Sequence, residues 1–251
     1  EMTSSLVGSE MCIRDRFSNL HFKESLSVDN RKRGNLKSLV SSFGIVLKNR
    51  RYVYYVLQMG FAMGVLFANI SSSPFIVQQH YGFSAFEFSL FFGINALAIG
   101  LAAGLSVKFK NPEHAMFLGS VGMTMMSAVE FVILSNEYHF AVYEAVLFVL
   151  LFSMGLTFTA STTLAMDCER ANSGTASALF GAAGFAFGGI VSPLVGLGDI
   201  LSTTGLIFFV CSVCSLCFSV LAMNQTHTNL WGSFKCKMGP VTRFVFLRRE
   251  K

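Results

Sequence analysis

The chain alternates long apolar runs with short polar interruptions, and the runs occupy residues 52–70, 88–107, 115–135, 141–166, 175–197 and 202–223. An α-helix needs roughly 20 apolar residues to cross a hydrocarbon core of about 30 Å. The pattern therefore predicts six membrane-spanning helices joined by short connections. Upstream, over residues 35–48, Leu36, Leu39, Val40, Phe43 and Leu47 recur at three-and-four spacing with lysines and serines between them. That rhythm predicts an amphipathic helix lying on a membrane surface. A solvated linker is the other reading of the same serine-rich segment.

Composition agrees with the pattern. Hydrophobic residues make up 53% of the chain and charged residues 13%, against about 25% charged in ordinary soluble domains. Phenylalanine dominates the aromatics, 27 against one tryptophan, and its side chain has no polar atom for lipid to strand. The net charge of +5 by itself suggests an anionic partner such as nucleic acid. Its placement decides otherwise. Lys108, Lys110 and Arg170, in the connections 108–114 and 167–173, share a side with the basic segment 17–51, whereas 71–87, 136–140 and 198–200 contain no Lys or Arg. Such bias marks the basic side as cytoplasmic, so both ends of the six-helix unit are expected inside.

Within the spans, two ionisable groups have any depth: Glu130, about five residues from the outer end of its helix, and Glu144, about one turn into the next. The short 136–140 connection lets the two carboxylates approach, and such a pair is a candidate proton site. Uncharged polar groups are more numerous. Gln58, Phe61, Asn69, Asn95, Phe148, Phe152 and Thr157 combine amides and a hydroxyl with aromatic walls. That mixture fits a cavity for a drug-sized apolar molecule, and it fits equally a bundle core with interhelical hydrogen bonds. Residues 173–198 carry no charge and space Gly181, Gly184 and Gly188 at three and four, with Pro193 following. Glycine at such spacing lets another backbone approach closely, and proline with glycine also suits a helix that bends.

Other chemistry is weakly signalled. Cys211, Cys214 and Cys217 form CxxCxxC inside an apolar run with no His or acid beside them, so they read as packing residues rather than a metal site. His80, His114 and His139 lie in connections, and no HExxH, GxSxG or P-loop occurs. No catalytic residue, metal or cofactor is expected. An intramembrane enzyme built on Ser161 or Glu144 ranks last, because no nucleophile and base can be assembled. Four regions result. Residues 1–16 resemble translated adapter sequence and are set aside as non-native. Residues 17–51 form a cytoplasmic basic loop, 52–223 the six-helix bundle, and 224–251 a basic tail with Trp231, Phe234 and Phe244.

Several phrases resemble one family when taken together. FKESL at residues 22–26 is similar to the P-E-T-L sequence that often closes the sixth helix of major facilitator drug transporters, with Lys23 in place of the usual proline. SSPFIVQ followed by YGFS resembles the seventh and eighth helices of the Bcr/CflA-type multidrug efflux proteins, and SGTASALFGAAGFAFGGIVSPLVG resembles their eleventh. The resemblance implies an all-α membrane protein whose six-helix bundle is half of a twelve-helix major facilitator fold. It implies a proton-driven antiporter of drugs or small metabolites whose halves rock around a central cavity. The implied partners are a missing N-terminal six-helix bundle, the lipid bilayer, protons and a small apolar or amphipathic substrate, with no nucleic acid. The implied location is a bacterial inner membrane with both ends cytoplasmic. The family's proton-coupling acids usually lie in the first bundle, so none is carried over to Glu130 or Glu144. A self-contained six-helix protein that dimerises is the rival reading. Genomic sequence upstream separates the two: further in-frame apolar spans are expected for a transporter half, and a stop codon close before Met11 for the rival.

Overall fold

The computed structural model describes residues 36–136 and 138–238, with side-chain surroundings for 41–136 and 138–225. The expected leader 1–16, residues 17–35 of the basic loop and residues 239–251 of the tail lie outside the described residues, and the first part of the expected tail continues the last helix to Met238. Among the described residues seven α-helices follow in order: α1 Leu36–Leu47, α2 Arg50–Pro74, α3 Ala85–Ser106, α4 Pro112–Ser135, α5 Phe140–Cys168, α6 Ser173–Leu194 and α7 Ile200–Met238. Six of them are long and apolar enough to cross a membrane, and no strand occurs among the described residues. On α1 the inward side chains are Phe43 and the fully buried Val46, while Leu47, expected on the apolar face, is exposed.

Local chemistry sets the ends. Asn49 accepts from the Tyr52 backbone N–H and caps α2. Ser84 and Glu87 form a reciprocal capping box at the start of α3. Asp199 accepts from the Ser202 N–H at 2.9 Å at the start of α7, and that bond holds its carboxyl below the usual aspartate range. The cap is therefore present at neutral pH and is lost as pH falls through the lowered value.

The first span departs from expectation. Residues 71–80 are expected to form a connection, yet the helix runs through Pro74 and continues as a π-helical turn, Phe75–His80. Proline removes one backbone donor. The serines before it bond back one turn along the same helix, Ser72 to the Ala68 carbonyl at 2.9 Å and Ser73 to Asn69 Oδ1 at 2.8 Å. Wider π turns are a common way to absorb such a break, frequently at functional sites.

Helices α2 and α5 form the centre. Helix α2 packs against α5, α6 and α7, and α5 packs against α2, α3 and α4. The outlying α3 rests chiefly on α5, and α6 chiefly on α2. Tight crossings explain these pairs. A Cβ on Gly155 would stand 2.5 Å from the Ile99 carbonyl oxygen, and one on Gly119 would stand 2.6 Å from the Ser153 carbonyl oxygen. At the α4–α7 crossing, a Cβ on Gly205 would lie 2.8 Å from Phe131 Cα. These are backbone contacts, which cannot move aside as a side chain can.

The glycines of α6 behave differently. A Cβ on Gly184 would stand 3.3 Å from Cγ of the flexible Met63 side chain, and Gly188 faces the Phe67 ring. Gly181 is exposed with nothing within 4 Å of its Cβ position, so within this bundle it is not a packing residue, and the expectation that it packs is corrected here. Pro193 is likewise exposed, and α6 continues past it into a 3-10 turn, Val195–Leu197, rather than bending sharply away.

Gly155→Leu should therefore destabilise the bundle by at least the roughly 1–3 kcal/mol typical of overpacking, read as a lowered thermal midpoint in detergent. Gly181→Leu should leave that midpoint unchanged. Equal loss in the two variants would contradict the described crossings.

Candidate proton and substrate site

The candidate residues separate into three environments. Gln58 of α2 is fully buried between α5 and α7. Its Nε2 donates to Ser215 Oγ at 3.1 Å, its Oε1 accepts from Ser161 Oγ, and its carbonyl accepts from Ser215 Oγ at 3.1 Å. Here the interhelical hydrogen bond prevails over the cavity wall. Asn69 is buried, and its Oδ1 accepts from Ser73 Oγ. Thr157 is fully buried and donates to the Ser153 carbonyl at 3.2 Å. These three expected cavity residues are enclosed within the bundle, because each finds its polar partner on its own or a neighbouring helix. Phe61 stacks on Phe218 with ring centroids 5.8 Å apart and meets Phe187 edge-on at 4.9 Å. Phe152 is half-buried on α5.

The second environment is closed. Glu130 of α4 has no exposed surface, and neither carboxyl oxygen has a hydrogen-bond partner among the described residues. Beside it lies fully buried Tyr143 of α5, whose phenol faces the Ser73 side chain of α2. The two groups and Glu144 lie within electrostatic reach of one another. Glu130 is expected near the interface, where water tolerates charge; helix packing on both sides instead removes it from any surface. The next residue, Phe131, is the one that Gly205 of α7 closely approaches, and the adjacent Thr204 hydroxyl is also buried and unpartnered. Buried polar groups are rarely left unsatisfied. A cluster of them marks this level of the bundle.

The third environment is open. Phe140, Glu144 and Phe148 recur every four residues along one face of α5, and Phe91, Ile94 and Asn95 approach from α3. Together with Ala141 and Ala145, all but Asn95 line a cleft of about 430 Å³, within the roughly 300–1,000 Å³ of small-molecule pockets. Asn95 Nδ2 donates to Glu144 Oε1 at 2.9 Å, which fixes the carboxylate from behind. Asn95 is buried, and its own Oδ1 has no partner among the described residues. So of the expected cavity residues, Phe148 alone lines this cleft, with Asn95 supporting it and Glu144 joining it from the expected proton pair.

Tyr143, Phe91 and Phe140 are not singled out by the sequence pattern. Tyr143 carries a signal all the same: with Leu147, Leu150 and Met154 it traces the buried stripe of α5, which places its hydroxyl inside. The aromatic walls carry none, because 27 phenylalanines make any pair unremarkable.

At the opposite, basic end, polar contacts also tie helices together. Arg51 pairs with Glu113 at 2.8 Å, Asn49 donates to Glu169 at 2.8 Å, and Tyr52 donates to the Ala176 carbonyl at 2.6 Å. Among the described residues no group of His, Cys, Asp and Glu is arranged to hold a metal. Gln58→Leu removes the three-helix hydrogen-bond node while keeping the volume. It should lower stability by about 0.5–2 kcal/mol, measurable as a lower unfolding midpoint in detergent.

Comparison with known proteins identifies the class of machine that such a bundle serves. Residues 20–193 match the Major Facilitator Superfamily. The chain is 34% identical over 215 residues to an uncharacterized MFS-type transporter, YdgK, of Bacillus subtilis (strain 168), an alignment that covers 84% of this chain and 54% of that protein. The chain thus spans about half the length of the curated relative it matches. With six apolar helices of spanning length and this extent of similarity, the chain belongs to the major facilitator superfamily of transporters and is an integral membrane protein.

Proposed function

We propose that this chain is the C-terminal half of a proton-driven secondary transporter that exports drugs or small metabolites. The observation that carries the proposal is Glu130, fully buried with both carboxyl oxygens unpartnered among the described residues and with Tyr143 and Glu144 within electrostatic reach. An ionisable group enclosed in a membrane bundle is a functional group by default, and proton relays are among its commonest uses. Support for export comes from the SSPFIVQ, YGFS and SGTASAL phrases, which resemble Bcr/CflA-type efflux proteins. Support for half status comes from the relative's length, about twice the aligned portion.

In this reading the missing N-terminal six-helix bundle faces this one across a central cavity in a bacterial inner membrane, both ends of the present bundle being cytoplasmic. Glu130 exchanges a proton between the two membrane faces as the halves rock. Tyr143 and Glu144 are the groups facing it, so its proton is coupled to the carboxylate at the open cleft. A small apolar or amphipathic substrate moves in the opposite direction.

The full-length protein in proteoliposomes should accumulate ethidium or chloramphenicol when a pH gradient is imposed. Glu130→Gln should lose gradient-driven accumulation at least ten-fold while exchange of the same compound across the membrane persists. Undiminished accumulation by that variant would remove Glu130 from the coupling step. Glu144→Gln should in turn change the pH profile of transport.

A further inference from the structure

We infer that the buried seam between α4 and α7 is a proton path, a column of hydroxyls bridged by waters that joins Glu130 to the basic end of the bundle. The inference rests on the transporter reading and deepens it: Glu130 takes up its proton through the bundle itself, not from the cavity between the halves. Three observations carry it. The first is where the unpartnered groups gather. Both Glu130 carboxyl oxygens, Thr204 Oγ1, Ser212 Oγ and Ser219 Oγ have no hydrogen-bond partner among the described residues, and none of the four residues has exposed surface. All lie on α4 or α7, which pack against each other. Buried polar groups are nearly always satisfied, by protein or by internal water.

Next, the register of the two helices makes these atoms one column. Thr124 Oγ1 donates to the Ser212 carbonyl at 3.1 Å, and seven residues on along α4 Phe131 meets Gly205, seven residues back along α7. The helices therefore run antiparallel in constant register, with Thr204 beside the Glu130 turn. From Glu130 toward the basic end come Ser127 and then the Thr124–Ser212 pair. Ser120 with Ser215, and finally Ser219, continue the line. At a rise of 1.5 Å per residue, successive polar levels are at most about 5 Å apart. One water bridging two groups spans about 5.5 Å, twice a hydrogen-bond length. Ser120, Thr124 and Ser127 also give their own protons to carbonyls of α4, at 2.8, 2.8 and 2.9 Å, which leaves each hydroxyl oxygen able to accept.

Third, no acid or base interrupts the column. Residues 115–129 of α4 and 200–223 of α7 include no Asp, Glu, His, Lys or Arg. The Cys211 thiol of α7 turns instead toward Gly64 of α2. The titratable groups within reach of Glu130 are Tyr143 and Glu144, both on α5. Beyond Glu130, α4 turns Ile133 and Leu134 inward, and its part of the column stops. A proton entering at the basic end thus meets Glu130 as the first carboxylate. Each bridging water accepts one proton and passes one on, so the proton lost from solution is balanced by the one that neutralises Glu130.

The test is infrared-detected exchange of the Glu130 proton for deuterium in the full-length protein in lipid nanodiscs, the band being the protonated-carboxyl stretch that Glu130→Gln removes. Ser212→Ala combined with Ser219→Ala should slow the shift of that band in heavy water at least ten-fold. Ser212→Thr combined with Ser219→Thr keeps both hydroxyls and should exchange at the wild-type rate. Ser106→Ala removes a buried hydroxyl of α3, which donates to the Leu156 carbonyl at 3.3 Å, and should leave the rate unchanged. A variant that only loosened the bundle would exchange faster, so slowing is the mark of a path. Unchanged or faster exchange in the alanine pair, equal slowing in the threonine pair or in Ser106→Ala, or no Glu130-dependent band at any pH at which the protein is folded would each overturn the inference. If the alanine pair exchanges normally while pH-driven chloramphenicol accumulation is present and sensitive to Glu130→Gln, the seam path falls and the proton-driven exporter stands. If exchange slows as expected but no pH-driven transport occurs, the seam path stands and the proton-driven exporter falls.

Discussion

Helices in hydrocarbon receive no push from water, so they hold together only where backbones come close or polar groups pair across the gap. In this bundle α5 is gripped in both ways. Gly155 admits the Ile99 backbone of α3, Gly119 of α4 admits the Ser153 carbonyl of α5, and Ser161 binds Gln58 of α2. Because α3, α4 and α2 are all registered against α5, the positions of Asn95, Glu130 and Glu144 are determined relative to one another. The candidate site is a consequence of those crossings.

The same crossings create the contrast that gives the site its chemistry. Glu130 lies on the side of α4 that meets its neighbours, next to the Phe131–Gly205 contact, and is sealed. Glu144 lies one position along from the buried stripe of α5 and opens on the cleft beside α3. Two carboxylates that feel each other's charge thus sit in unlike surroundings, one closed and one accessible. That division suits a transporter, in which a proton and a larger cargo must influence one another without competing for the same volume.

Much of the fold is legible in the sequence because lipid imposes simple rules. Apolar length locates the six spans of the described residues. Apolar length understates the first span because Ser71 to Pro74 looks like a turn, whereas in the helix Ser72 and Ser73 turn their hydroxyls back to Ala68 and Asn69, one turn earlier. Glycine density points to α6 for close packing. The closest backbone contacts instead involve Gly119, Gly155 and Gly205, each isolated in its own helix. Spacing along one helix cannot reveal what crosses it. For the same reason Gln58 and Thr157 are open to being read as cavity residues, and only the neighbouring Ser161, Ser215 and Met116 side of the contact shows them enclosed. Glu130 and Glu144 are visible as charges in apolar runs. Their unequal burial is not, because it depends on which face of α4 and α5 turns inward.

The most direct test of a proton-driven transporter half centred on Glu130 is to watch the protons themselves. A pH-sensitive dye trapped in proteoliposomes of the full-length protein should report proton movement when ethidium or chloramphenicol is added on one side, and no such movement with Glu130→Gln. Equal proton movement in the wild type and in that variant, with substrate transported in each, would contradict the assignment of Glu130 to coupling.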